Sequence, residues 1–113
     1  MRPAFLIGGL CGAGGVALSA YAAHAGGEHI GTAAQMMLFH APAFLALGLF
    51  PAGWLRGLAI ALLAAGLMLF AGDLLARAFT GTRLFPMAAP TGGLMMIGGW
   101  LAVTAAGVFA RRG

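Results

Sequence analysis

The chain contains no lysine and no asparagine, and it has a single cysteine, glutamine, serine and tyrosine. Two carboxylates and six cationic side chains bring the charged fraction to 7%, against about 25% in water-soluble domains. So little charge cannot cover a soluble domain of 113 residues, and that class is excluded. One cysteine rules out an internal disulfide and a thiolate metal cluster. Cys11, set among glycine and leucine, reads as a small buried apolar residue. Acid–base catalysis without a cofactor needs at least two positioned ionisable groups, and Asp73, Glu28, His24, His29, His40 and six arginines nearly exhaust the supply. No enzymatic activity is therefore expected, and no specific motif calls for a metal or any other cofactor. The arginines are scattered at the ends of apolar runs, a pattern of orientation signals that argues against nucleic-acid binding.

What is present is apolar sequence, 62% of the chain. The length accommodates about four spans of roughly 20 residues with short connections. The expected fold is all-α, an integral membrane four-helix bundle forming a single transmembrane domain over 1–113, with spans at about 3–23, 33–50, 58–78 and 91–110. Arg2, Arg56, Arg111 and Arg112 fall on one side of such a bundle and Arg77 and Arg83 on the other, which places both termini in the cytoplasm.

In the first span Gly8, Gly12, Gly15, Ser19, Ala22 and Gly26 recur at helical spacing. Such a small-residue stripe lets a second helix approach closely, so this span is expected to be the central packing helix. The following HAGGEHIGT, His24 to Thr32, reads as an interfacial loop, because its H-x3-E-H spacing matches no compact metal motif. In the second span Pro42 deprives the Leu38 carbonyl of its helical partner and should kink the helix two residues after His40. PAGWLRG, 51–57, is a tight turn with Trp54 and Arg56 at interface depth. Asp73 and Arg77 stand four apart in the third span, spaced to pair on one helical face and turned inward. The connection Thr80 to Gly93 is expected to dip into the interface. Ala102, Ala106 and Ala110 repeat the small-residue spacing in the fourth span, where Trp100 falls near the middle, as a packing residue would.

Alternating span directions puts His24, His40, Asp73, Met95 and Met96 in the outer half of the bundle. Three readings of this layer stay open. His40, Asp73 and Arg77 form a satisfied network that fixes helix register; or, with His24, they line a pocket for a quinone head group, a proton step or a lipid. In the third, Met36, Met37, His40, Met95 and Met96 are soft ligands for copper, or His24 and His40 are axial haem ligands.

Four fragments carry a resemblance: YAAHAGGEH, QMMLFHAPAFLALG, LFAGDLLARAFTG and PMAAPTGGLMMIGGWL. Together they resemble the family called domain of unknown function 423, small four-helix inner-membrane proteins similar to transmembrane protein 256, over nearly the whole chain. Ala25 follows His24 where that family usually has glycine, and Asp73 stands where many members carry serine. The resemblance implies a multi-pass protein of the bacterial inner (cytoplasmic) membrane and implies no activity. The expected role is an accessory or interaction subunit of a larger membrane complex, for instance a respiratory one. Its partners would be the lipid bilayer and other membrane-protein subunits or further copies of itself. The alternative is a small dimeric transporter or a quinone- or lipid-binding protein using His40, Asp73, Arg77 and His24.

Overall fold

The computed structural model describes residues 2–109. It contains α1 (Pro3–Ala25), α2 (Glu28–Leu49), α3 (Trp54–Thr80) and α4 (Ala88–Val108), with no strand among the described residues. All four helices are long and apolar enough to cross a membrane. The shortest of them, α4, extends about 32 Å at about 1.5 Å per residue, the thickness of a hydrocarbon core. Ala110, Arg111 and Arg112, expected at the end of the fourth span, lie outside the described residues.

Local chemistry sets the boundaries. Pro3 opens α1 at a position that needs no N–H. Gly26 and Gly27 have φ of 79° and 109°, conformations that only glycine adopts at little cost, so two residues suffice to reverse the chain. The loop expected over His24 to Thr32 shrinks to that pair. Glu28 and His29 belong to α2, where the Glu28 carboxylate lies in the first turn at the positive end of the helix. The α2–α3 connection, residues 50–53, is also short. Trp54 and Arg56 are already helical, and Arg56 Nη1 donates to the Phe50 carbonyl at 2.7 Å, covering a group that the end of α2 leaves open. Gly81 ends α3 with φ 79° and donates its N–H to Arg77 O at 3.0 Å. The last connection is confined to residues 81–87. Pro90, read as part of that loop, lies in the first turn of α4, where helices have no internal use for a donor.

The helices pair as two hairpins, α1 on α2 and α3 on α4, joined chiefly through α2 and α3. The first helix is thus at the edge of the bundle, contrary to its expected central place. Its glycines serve one neighbour: a β-carbon on Gly8 would stand 2.9 Å from Leu45, and one on Gly15 2.8 Å from Leu38, both in α2. Further along, Ser19 is exposed. The core forms between α2, α3 and α4 around Phe44, Leu47, Leu63, Leu67, Leu74 and Met96. The tightest crossing is between two glycines, since a β-carbon on Gly92 would be 2.5 Å from the Gly66 carbonyl oxygen and 2.7 Å from the Phe70 nitrogen.

Those neighbours are backbone atoms and cannot swing aside. Gly92→Ala should therefore destabilise the protein by roughly 1–3 kcal/mol. Gly93→Ala, with nothing within 4 Å of its new carbon, should leave stability equal or higher because alanine favours the helix. Reversible unfolding of both variants in mixed micelles checks the contrast.

Candidate functional site

Polar groups inside the bundle gather in two places. The first is centred on His40, which is 4% exposed. Because α2 begins at Glu28, His40 sits about 18 Å along the helix from its start, near the middle of the span. Its Nδ1 is 2.7 Å from the Met36 carbonyl. A carbonyl only accepts, so Nδ1 carries the proton. The indole Nε1–H of Trp100 donates to Nε2 at 3.1 Å, and an indole N–H only donates, so Nε2 presents its lone pair. One tautomer of the ring satisfies both neighbours. The His40 and Trp100 rings are 5.6 Å apart and inclined at 51°. Trp100 lies mid-way along α4, and the bond ties α4 to α2.

The second place is Asp73, fully buried about 10 Å before the end of α3. Its Oδ2 accepts from Arg77 Nη2 at 2.8 Å, and its Oδ1 accepts the Leu84 backbone N–H at 2.9 Å. The Asp73–Arg77 pair makes the contact its spacing suggested. The bond to Leu84 means that the connection after α3 turns back and lies beside the last turns of that helix. Leu84 accordingly packs near Gly72, its Cδ1 3.4 Å from where a β-carbon there would stand. Arg77 Nε is buried and without a partner among the described residues.

His24 joins neither network. It is exposed near the end of α1 and bonds through Nδ1 to Ala20 O at 2.9 Å. At that end Tyr21 of α1 and Phe79 of α3 have ring centroids 5.7 Å apart, beside a cavity of about 290 Å³ that Glu28 and His29 also line.

The single outer layer expected from the sequence is therefore two separate networks and an isolated histidine. The difference arises because α2 starts five residues earlier than expected, which lowers His40 towards the bilayer centre. Among the described residues no hydrogen bond joins His40 to Asp73. The pairing of His24 and His40 as axial haem ligands is overturned, since His40 lies about 18 Å into α2 while His24 lies at the end of α1 that meets the start of α2, and both His40 nitrogens are engaged. The methionines pack: Met37 Cε would be 2.8 Å from a β-carbon on Gly14, and Met96 fills the core against Gly66. Among the described residues no three of His, Cys, Asp and Glu stand together. Two participants escaped the sequence reading, Trp100 as the donor to His40 and the Leu84 amide. A signal existed for the first, because a tryptophan far from the interfacial belt places its indole N–H at hydrocarbon depth, where it needs an acceptor from the protein.

The networks yield local predictions. Trp100→Phe should leave Nε2 of His40 without a donor and lower stability by about 0.6–1.7 kcal/mol, and ¹⁵N spectra of the imidazole should show Nδ1 protonated before the change and the Nε2 signal moved after it. Asp73→Ala should make the Leu84 amide exchange with solvent at least about tenfold faster, with little change at amides around His40.

A family model described as a protein of unknown function, DUF423, matches residues 18–93. Among curated proteins and among solved structures no match is found. The matched stretch takes in α2 and α3 completely, with His24, His40, Asp73, Arg77 and Leu84, while Trp100 falls just beyond it. On that match, which spans well over half of its length, the chain belongs to the DUF423 family.

Proposed function

We propose that the protein is a small non-catalytic subunit of the bacterial inner membrane that works by docking on a larger membrane protein complex, such as a respiratory one. The observation that carries this reading is that His40 and Asp73, the buried polar residues among those described, are already engaged. His40 is engaged at both nitrogens and Asp73 at both oxygens, all within the chain. A transporter or quinone site built on them would first have to break the bonds that tie α4 to α2 and the last connection to α3. What remains available is surface. Helix α1 buries fully only Ala4, Gly8 and Gly15, and its Leu10 and Val16 are exposed, so this edge helix is the face offered to a partner.

Orientation belongs to the same reading. Arg2 and Arg56 mark one end, while Arg77 at the other is tied to Asp73; both termini then lie in the cytoplasm. In a Cys11→Ala background, cysteine at Thr82 should react in intact cells with a membrane-impermeant maleimide and cysteine at Ala52 should not. The opposite pattern would invert the topology.

Docking is tested with photo-crosslinking groups at Leu10 and Val16 and, as a control, at Met68 of α3. The α1 positions should capture one membrane protein in stoichiometric yield, and that protein should co-purify in mild detergent. Crosslinks from α1 to lipid alone, or only between copies of the chain, would overturn the reading, as would a bound quinone or a visible absorption band in the purified protein.

A further inference from the structure

The two ends of the bundle differ in charge. Both acidic side chains, Glu28 and Asp73, lie towards the end where α1 meets α2 and α3 turns back to α4. The opposite end holds Arg2, just before α1, and Arg56, in the first turn of α3, with no aspartate or glutamate on that side. These two arginines share a cavity of about 310 Å³ with Pro3, Ala4 and Gly48. Across Arg56 lies a second cavity of about 580 Å³, walled by Phe50, Trp54, Leu55, Ala106 and Phe109. Arg56 borders both, and its bond from Nη1 to the Phe50 carbonyl at 2.7 Å fixes the guanidinium between them. The Arg2 guanidinium rests over the Phe5 ring, 5.7 Å from its centroid.

We propose that this end is a binding site for an anionic phospholipid. The phosphate sits between Arg2 and Arg56, and the glycerol and first methylenes enter the cavity beside Trp54 and Phe109. Three features favour that occupant. Two guanidinium groups with no aspartate or glutamate on their side of the bundle present the planar donor forks that suit phosphate oxygens. The polar and apolar cavities adjoin at one arginine, as a headgroup adjoins its acyl chains. Trp54, 76% exposed, marks the headgroup depth at which tryptophan concentrates, where basic pockets between helices take phospholipid headgroups. Charge complementarity also selects among lipids. A choline or ethanolamine headgroup brings a cation that two arginines repel, whereas phosphatidylglycerol brings none.

The test uses the purified full chain, with native mass spectrometry after exchange into nanodiscs of phosphatidylglycerol and phosphatidylcholine in equal parts. The wild type should retain phosphatidylglycerol in preference, and Arg2→Gln and Arg56→Gln should each reduce the preference about fivefold. Arg56→Gln also removes the bond to Phe50, so Arg2→Gln, at an exposed position outside the helix, decides the matter should the first variant fail to fold. Equal retention of the two lipids by the wild type would overturn the proposal, as would undiminished preference in Arg2→Gln. A soluble phosphate ligand is the competing source. Retention of inorganic phosphate by the wild type at millimolar concentration, together with equal retention of the two lipids, would assign the site to the soluble ligand and overturn the proposal.

Discussion

Hydrocarbon provides no hydrogen-bond partners, so a polar side chain within a span must find them inside the protein. In this chain that constraint turns two isolated polar residues into ties between elements. His40 can remain at mid-membrane because Met36 accepts from one ring nitrogen and Trp100 donates to the other. Asp73 can remain buried because Arg77 and the Leu84 amide occupy both its oxygens. Each solution couples one element to another. The first holds α4 to α2, and the second folds the last connection back along α3.

These ties depend on close backbone approach. Glycine faces glycine where α3 crosses α4 at Gly66 and Gly92, and Trp100 follows two turns later on α4, in reach of a helix other than the one against which α4 mainly packs. Between α1 and α2 the glycines again bring backbones together, but α1 has no second neighbour of that kind. The outcome is a three-helix core of α2, α3 and α4 with α1 along one side. That asymmetry underlies the proposed role, because a helix covered on one side presents the rest of its surface to lipid or to another protein. The charge asymmetry runs along the other axis, with both acidic side chains towards one end and Arg2 and Arg56 at the other.

Much of the fold was legible. Apolar runs separated by glycine, proline and arginine give four spans, and these features report physics that acts locally: transfer out of water, missing N–H groups and positive φ. The helices run beyond the apolar runs, because polar residues such as Glu28, His29 and Arg56 belong to helix ends, where carboxylates and capping donors are also favoured. The Asp73–Arg77 pair was legible because residues four apart on a helix are neighbours whatever the fold. The donor to His40 was not, since nothing local indicates which helix will bring an indole N–H across the bundle.

The sequence by itself determined that the chain is a set of four membrane-length helices, that it offers few groups for chemistry, and that Asp73 has its cation within one turn. Those properties follow from composition and from spacing along one helix. Only the tertiary structure decided that α1 lies at the edge, that His40 and Asp73 belong to separate networks, and that Leu84 returns to the level of Asp73. The reason is physical. Which glycine faces which backbone, and how deep a residue lies, depend on where neighbouring helices begin and cross, and a shift of five residues in the start of α2 moves His40 by about 7 Å.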